Sequence, residues 1–291
     1  MAKGRELKGR IKSVENTRKI TRTMEMVATS KMKRAQDRVV AARPYARTLG
    51  DVIGTLYSPE LAERFPLLRQ PTTVRRAAVV LLTSNRGLAG AFNANLIREA
   101  RNLVARLERE GSRVDLHVVG RKGIGYFRYM GRALATTRAD VGDAPTAADA
   151  AGLVDALMGD FAEGALDAVY VVYSQFRSAL STPPVSEQVL PIAPPAAREG
   201  AGGATRDYLL YPSPDEILSS LLPSYVRNAV YRALVENTAS FFSSQRNAMK
   251  SATDNAGDML NILRRTYNRA RQAQITQEIA EIVGGAAALQ G

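Results

Sequence analysis

The sequence predicts an α/β protein: a long antiparallel coiled coil of N- and C-terminal helices with an inserted Rossmann-like α/β sandwich domain. Two observations predict it. Apolar residues recur at alternating four- and three-residue steps near both ends of the chain, as in coiled coils. Between them, short apolar runs alternate with helical patterns, as in α/β domains. The predicted boundaries are 1–58 for the N-terminal helix, 59–214 for the α/β domain and 215–291 for the C-terminal helix.

The N-terminal helix is predicted from Leu7 to Tyr57. Its four-three spacing runs without a break from Ala28 to Leu56, which is hard to obtain by chance. Pro44 lies inside this helix, where it removes a backbone hydrogen bond or produces a kink. The earlier apolar positions, which require one phase slip, are Leu7, Ile11, Val14, Ile20, Met24 and Val27.

The middle of the chain has a different period. Wholly apolar short runs are typical of strands buried in a parallel sheet. The predicted strands span 77–82, 114–119, 166–173 and 185–192, the last a Pro-flanked edge strand. The predicted helices span 93–110, a less regular stretch after Gly120, and a segment that Thr146 caps and that ends near Phe161. Residues 191–206, rich in Pro, Gly and Ala, are predicted to form a mobile surface loop.

The C-terminal helix is predicted from about Ser224, after a short turn that contains Pro223 and follows the acidic Asp215. Its predicted seam consists mostly of small residues, which allow a partner helix to approach closely. The seam positions are Ala252, Ala256, Met259, Leu263, Thr266, Ala270, Ala273, Gln277, Ala280, Gly284 and Ala287. A second apolar stripe contains Ile275, Ile279, Ile282, Val283, Ala286 and Leu289. A helix that is apolar on two faces requires more than one partner.

Composition limits the function classes. The chain has no cysteine, which excludes a disulfide framework, a Cys-ligated zinc site and a thiol nucleophile. It has no apolar run long enough for a membrane span and no apolar core of a signal peptide, so we expect an intracellular, water-soluble chain. The net charge is +12, and residues 1–58 hold 14 Lys and Arg against 5 Asp and Glu. Such a basic arm is typical of a segment that binds either the phosphate groups of nucleic acid or a membrane surface, or an acidic protein. Composition alone does not distinguish these partners.

No catalytic or nucleotide site is predicted. The loop from Ser84 to Gly90 follows a strand, but it has neither the P-loop pattern nor the dinucleotide-binding glycine spacing. His117 is the only histidine, and its alternation with apolar neighbours indicates an ordinary strand residue. Asp254 and Asp258 share a helix face, where solvation or hydrogen bonding to another subunit is expected rather than acid catalysis. We therefore expect no catalysis, no metal, no cofactor and no direct nucleotide binding.

Five segments resemble the gamma subunits of F-type ATP synthases. The first is 13–32, which reads Ser-Val-Glu-Asn-Thr-Arg-Lys-Ile-Thr-Arg-Thr-Met-Glu-Met-Val-Ala-Thr-Ser-Lys-Met. The others are Arg86–Gly90, Tyr231–Asn237, Met249–Ala256 and Ala270–Leu289. The resemblance covers nearly the whole chain. The chain departs from the family at Asn85, where Asp is usual, and at Ala89, where many relatives have Cys.

This resemblance implies the central rotor shaft of the F1 sector, which couples proton flow to ATP synthesis without catalysing it. The implied partners are the alpha and beta subunits, the epsilon subunit and the c-ring, with no nucleic acid and only indirect membrane contact. The chloroplast-type regulatory insert is missing and the match begins within the first few residues, so we expect no transit peptide. A bacterial protein on the cytoplasmic face of the inner membrane is implied.

The resemblance also implies contact residues. Arg271 and Gln272 match residues that hydrogen-bond a beta-subunit loop, called the catch, and Thr276 and Glu278 match neighbouring positions. The residues implied to meet the acidic lever loops of beta are Lys19, Arg22, Met24, Lys31 and Arg34, together with Arg10, Lys12 and Lys33 as further basic candidates. Met24 is equally suited to packing in the seam. The implied apolar bearing contains Ile279, Ile282, Val283, Ala286 and Leu289, and the implied c-ring contacts are Tyr208 and Tyr211, although the usual Tyr-Glu-Pro here reads Leu210-Tyr211-Pro212.

Two alternatives remain open on the sequence. A basic coiled-coil protein that binds nucleic acid would explain the charge, but residues 1–56 contain only one aromatic residue, Tyr45, for base stacking. An α/β enzyme with helical oligomerisation arms would require a nucleotide-binding motif that the sequence lacks.

Overall fold

The computed structural model describes residues 2–56, 64–192 and 214–290. Within these residues the chain forms five α-helices, five strands and a 3₁₀ turn at Pro66–Leu68. The helices are α1 (Ala2–Leu56), α2 (Phe92–Arg109), α3 (Arg121–Tyr129), α4 (Ala147–Ala162) and α5 (Pro214–Gln290). The strands are β1 (Arg76–Leu82), β2 (Arg113–Val119), β3 (Thr136–Arg138), β4 (Ala168–Ser174) and β5 (Pro184–Leu190). The predicted α/β class with long terminal helices and a central sheet is confirmed.

The five strands form one sheet in the order β3-β2-β1-β4-β5. β3, β2, β1 and β4 are parallel, and β5 pairs antiparallel with β4 as the predicted edge strand. In the centre of the sheet, Val79 of β1 lies opposite Leu116 of β2 and Tyr170 of β4. The sequence did not predict β3, because its three residues are polar and largely exposed and give no apolar run.

β1 is buried on both faces. Val80 and Leu82 belong to one apolar cluster, and Val79 and Leu81 belong to a second cluster across the sheet. The first cluster includes residues of α4 and α5, and the second includes residues of α2 and α3. This burial on both sides explains the continuous apolar run of β1, as expected for a central strand with helices on both faces.

The capping prediction for α4 is confirmed. The Thr146 hydroxyl accepts a hydrogen bond from the Asp149 amide, and the Asp149 carboxylate accepts one from the Thr146 amide. This reciprocal pair satisfies two amides that a helix start otherwise leaves without partners.

The start of α5 differs from the prediction. No turn separates Pro223 from the long helix, because α5 begins at Pro214 and continues through Pro223. Leu218, Leu222 and Val226 are fully buried in this segment. Each of these three buried side chains stabilises the fold by about 1.5–3 kcal/mol. Together they offset the roughly 3 kcal/mol cost of a proline inside a helix.

The chain forms two compact units. The terminal unit contains residues 1–28 and 245–291, and the central unit contains residues 29–244. The domain boundaries predicted from the sequence stay a prediction. In the central unit, the predicted α1 seam is confirmed at Met32, Ala35, Val39, Leu49 and Ile53, which are all buried.

In the terminal unit, the register of both seams corrects the prediction. On α1, Ile20 and Val27 are exposed, whereas Thr21 and Ala28 are buried, so the four-three spacing continues from Leu7 without a phase slip. A pattern of apolar residues does not include Thr21, because threonine is polar.

On α5, Met259 is 53% exposed and Leu260 is 2% exposed, so the predicted seam is wrong by one residue at this step. The seam positions that are buried or half-buried are Met249, Thr253, Ala256, Leu260, Leu263, Tyr267, Ala270 and Gln274. Apolar residues occur on both the buried and the exposed face of this helix. The four-three spacing therefore fits the predicted seam and the observed one equally well.

Candidate functional site

In the terminal unit, α1 and α5 are antiparallel. Thr21 lies 2.8 Å from Thr253, and Glu15 lies 2.6 Å from Arg264, so residues nearer the N-terminus face residues nearer the C-terminus. The two threonine hydroxyls are buried and hydrogen-bonded to each other. A buried polar pair of this kind favours one register of the two helices, because a shift would break their mutual bond and leave each hydroxyl bonded only to a backbone oxygen of its own helix, that of Arg18 or Met249.

Gly257 lies where the two helices meet. A Cβ atom at this position would lie 3.8 Å from the guanidinium of Arg18, which is ordinary van der Waals contact. The guanidinium of Arg18 thus covers a glycine on the partner helix, and there is room for an alanine at this position.

The end of α5 has no buried side chain after Gln274, as far as residue 286. Ile275, Ile279 and Ile282 follow one another at four- and three-residue steps, with Val283 beside Ile282, and form an exposed stripe in which Ile282 is 72% exposed. The side chain of Ala286 is also exposed, and for Leu289 the structure describes the helical backbone alone. A large exposed apolar stripe marks a surface for another molecule.

The predicted catch residues lie on this same segment of α5. Arg271, Gln272, Thr276 and Glu278 are all exposed. The Thr276 hydroxyl donates to the backbone oxygen of Gln272, and the Gln274 amide donates to the Glu278 carboxylate. These bonds are local to the helix, and the Arg271 guanidinium and Gln272 amide project from it.

The basic residues of α1 are mostly exposed. Arg10, Lys12, Lys19, Arg22, Lys33 and Arg34 are exposed, and Met24 is half-buried. Arg22 lies 3.7 Å from Glu25, and Lys33 lies 3.0 Å from Asp37 on the same helix. The pair of Lys33 and Asp37 is solvated and contributes little to stability. Tyr208 and Tyr211, the predicted c-ring contacts, lie outside the described residues.

Lys31 has a different environment from the other basic residues of α1. Its ammonium lies 2.8 Å from the Asp143 carboxylate and 5.4 Å from the centre of the Phe242 ring. Arg86 binds the same carboxylate, and Arg38 donates to the Asp143 backbone oxygen. Burial opposes ionisation of Asp143, but the hydrogen bonds from Lys31 and Arg86 outweigh it and hold the pKa of this carboxyl below its usual value.

Asn85 supports the loop that carries Asp143. Its amide nitrogen donates to the backbone oxygens of Ala139 and Val141, each at 3.0 Å, and its oxygen accepts from the Arg121 amide. An aspartate at this position would provide no donor for the two carbonyls. The departure from the family pattern therefore has a structural role in this chain.

A second polar cluster joins α5 to the end of β4. The Asn237 oxygen accepts from the Ser174 amide, the Ser240 hydroxyl donates to the Ser174 oxygen, and the Glu236 carboxylate accepts from the Phe176 amide. Burial raises the pKa of Glu236, against the bond from Phe176 and the charge of Arg232. In the sequence, the Tyr231–Asn237 segment is identified only by its resemblance to the family. The adjacent Glu236 and Asn237 in a mostly apolar helical segment are the feature that could have predicted this polar cluster.

Arg232 extends this cluster to β5. Its guanidinium binds Glu187, and the same carboxylate accepts a bond of 2.6 Å from the Tyr173 hydroxyl. Burial and the charge of Glu187 raise the pKa of Tyr173, so the phenol stays protonated and acts as a donor. Helix α5 is thus attached through side chains to both strands at this edge of the sheet.

The loop after β1 is held by contacts with other residues of the same chain. Ser84 hydrogen-bonds Asn93, and a small cleft here is lined by Arg86, Asp143 and residues of α5 such as Phe241. Gly120, with φ of 95°, lies against this loop, and a Cβ there would be 2.3 Å from the Thr83 oxygen. These contacts occupy the edge of the sheet where ligands of parallel α/β folds commonly bind.

His117 hydrogen-bonds the Thr136 hydroxyl at 2.8 Å, and burial lowers its pKa. Within the described ranges, no three His, Asp or Glu side chains are grouped so that they could hold a metal ion. Among the helices of the same residues, none combines the length and the apolar character needed to cross a bilayer.

Comparisons with known proteins agree over the whole chain. A family described as ATP synthase matches residues 3–289. The ATP synthase gamma chain of Gemmatimonas aurantiaca is 67% identical over 291 residues, which is 100% of both chains. That of Streptomyces coelicolor is 45% identical over 98% of this chain and 95% of the relative.

Solved structures show the same fold. A chain of the Euglena gracilis mitochondrial ATP synthase (OSCP/F1/c-ring) superposes with a TM-score of 0.70 at 20% identity, covering 99% of this chain and 95% of that one. A chain of the Tetrahymena thermophila central stalk/c-ring structure gives 0.62 at 24% identity, covering 80% and 99%. From the full-length similarity to its bacterial relatives, we conclude that this chain belongs to the ATP synthase gamma chain family.

Proposed function

We propose that this chain is the central rotor shaft of the F1 sector of a proton-translocating ATP synthase. It carries torque between the membrane c-ring and a catalytic ring of three alpha and three beta subunits, and is itself a non-catalytic subunit. The observation that carries the proposal is the antiparallel pair in the terminal unit, marked by Thr21 and Thr253, beyond which α5 continues with an exposed apolar stripe.

Torque has to enter α5 from the α/β domain. Three side chains of α5, Glu236, Asn237 and Ser240, bind backbone groups at the end of β4. Backbone groups of a buried strand move with the whole sheet, whereas exposed side chains move individually. Hydrogen bonds to them therefore make a stiff connection between the sheet and the helix.

The exposed stripe of α5 is proposed to be the bearing against the catalytic ring. Ile279, Ile282, Val283, Ala286 and Leu289 are its residues. Apolar contact is non-directional, and no hydrogen bond favours one angle of rotation over another. Arg271 and Gln272, with Thr276 and Glu278 beside them, are proposed to form a directional catch with a beta loop at one stage of the rotation.

The exposed cations of α1 are proposed to meet acidic lever loops of beta. Lys19, Arg22 and Arg34 are the residues, with Met24 next to them. Exposed ion pairs contribute about 0–1 kcal/mol each, and such pairs break and form again as the shaft turns. Of these cations, Lys31 is the least available to a lever loop, because its ammonium is bound to Asp143.

The shaft is asymmetric, whereas a ring of three beta subunits repeats three times. Each beta subunit then meets a different face of the shaft and is biased toward a different conformation. The nucleotides bind to the ring and not to this chain. The proposed partners are alpha, beta, epsilon and the c-ring, which place the chain peripherally on the cytoplasmic face of the bacterial inner membrane.

Co-expression with the alpha and beta subunits of the same organism tests the proposal. A stoichiometric complex with ATPase activity is expected, and a bead on the α/β domain should rotate during hydrolysis. A chain that remains alone, or that follows nucleic acid through a high-salt wash, would refute the rotor function.

A further inference from the structure

A surface groove lies between α2 and α3, away from every contact residue assigned above. It has a volume of about 370 Å³, and its lining includes Val104, Ala105, Phe127 and Met130. This volume is within the roughly 300–1,000 Å³ of binding pockets in proteins. Val104 and Phe127 form a buried apolar floor, and Met130 is exposed at the rim.

Two polar links join the two sides of the groove. The Arg101 guanidinium donates to the Tyr126 hydroxyl at 3.1 Å, and Arg132 binds Glu108 at 2.7 Å. Arg101 and Glu108 are seven residues apart on α2, which is about 10 Å along a helix axis. The groove is therefore two helical turns long, the length over which a helix presents apolar residues at i, i+3, i+4 and i+7.

The groove is lined by two cations, Arg101 and Arg132, and by one carboxylate, and the two helices that form it carry mostly cations on their exposed surfaces. The exposed charged residues of α2 and α3 are seven cations and one carboxylate, Glu108, which is already bound to Arg132. The cations are Arg98, Arg101, Arg106, Arg109, Arg121, Lys122 and Arg128. Tyr129 is 88% exposed next to this surface. Exposed arginine and aromatic side chains around an apolar floor are the composition of a protein–protein contact.

We propose that this groove docks an acidic amphipathic helix of a partner protein. Apolar side chains of the partner enter between α2 and α3, and its carboxylates bind the arginines at the rim. Arg101 is the main anchor, because its present hydrogen bond is to a neutral hydroxyl and a planar guanidinium can bind a carboxylate with two parallel bonds. A lipid surface fits less well, since the apolar floor of Val104 and Phe127 is buried.

The full-length chain can be tested with a fluorescent 18-residue helical peptide that has leucine at i, i+3, i+4 and i+7 and glutamate at the flanking positions. Fluorescence anisotropy should show binding that weakens several-fold between 50 and 300 mM salt, as expected for a charge-assisted contact. The double variant R101E/R132E should weaken binding about tenfold or more, because like charges then face each other. R177E reverses one arginine charge outside the groove, half of the change in the double variant, and should bind like the wild type.

A third variant, A105W, fills the groove without changing its charge and should also weaken binding. It keeps the test decisive if the arginine variants fail to fold by circular dichroism. Absence of peptide binding by the wild type, equal binding by A105W, or equal binding of a peptide with lysine in place of glutamate would each overturn the proposal. Binding to vesicles with 30% phosphatidylglycerol that R101E/R132E abolishes, without peptide binding, would show a membrane contact and overturn it as well.

Discussion

The ammonium nitrogen of Lys31 lies 2.8 Å from a carboxylate oxygen of Asp143, although 112 residues separate them in the sequence. Arg86, in the loop after β1, binds the same carboxylate. A helix and two loops, distant along the chain, therefore meet at one carboxyl group. The second connection of this kind, from α5 to β4, lies in the same unit, and its Asn237 lines the cleft that Asp143 also lines. Both long helices are thus linked to loops or strand ends of the α/β domain.

Replacing Asp143 by Asn should lower the free energy of unfolding of the central unit by about 1 kcal/mol at pH 7, since partly exposed pairs contribute about 0–1 kcal/mol each. The pKa of Asp143 is lower in the folded chain than its ordinary value of 3.8. The stabilisation is therefore present above pH 3.8 and is lost as the pH falls through the folded-state pKa. Urea unfolding of both proteins at pH 7 and pH 3 measures this difference.

Asp37→Asn is the matched control for Asp143→Asn, because Asp37 pairs only with the nearby Lys33 in the described structure. This variant should cost less at pH 7. A deficit in Asp143→Asn that stays the same at both pH values would contradict the charge of Asp143 as its cause.

Replacing Asn85 by Asp should destabilise the chain by about 1–3 kcal/mol, because two backbone carbonyls lose their donor and face a carboxylate. Amide exchange in residues 139–143 should become faster. Asn85→Ala, which removes the donor without adding charge, should cost less than Asn85→Asp. A stability equal to the wild type for Asn85→Asp would mean that the loop has other support.

The seam register of α5 can be checked with two neighbouring residues. Leu260→Ala should cost about 2–5 kcal/mol in the terminal unit, since Leu260 is buried, whereas Met259→Ala should change stability by less than about 0.5 kcal/mol. Thermal unfolding followed by circular dichroism measures both. The opposite order of the two variants would restore the register predicted from the sequence.

The sequence predicted the elements that depend on apolar spacing and missed those that depend on polar contacts. β1 and the α1 seam from Met32 onward were predicted, because burial of their side chains leaves a periodic pattern. Thr21 was missed in the seam, since its place there depends on a hydrogen bond to Thr253, which is 232 residues away. Similarly, no local pattern shows that Asp143 joins Lys31 and Arg86.

The attachment of α5 to β4 should depend on a carboxylate or amide oxygen at Glu236. Glu236→Ala leaves the buried amide of Phe176 without its acceptor and should cost about 1–3 kcal/mol. Glu236→Gln keeps an oxygen acceptor and should cost clearly less. Chemical denaturation and hydrogen exchange at the Phe176 amide measure the effect, and equal losses in the two variants would exclude this hydrogen bond as the cause.

The catch is tested by the double variant Arg271→Ala/Gln272→Ala in the assembled F1 complex. We expect slower ATP hydrolysis or weaker coupling with normal assembly, because both side chains are exposed on α5 and support no packing within this chain. An exposed hydrogen-bonding pair that acts only at one stage of rotation would change turnover and leave affinity for the ring nearly unchanged. Arg269→Ala, an exposed arginine on the same segment, is the control and should keep wild-type turnover. Wild-type turnover in the double variant would remove Arg271 and Gln272 from the mechanism and leave the apolar stripe as the principal contact of this helix end.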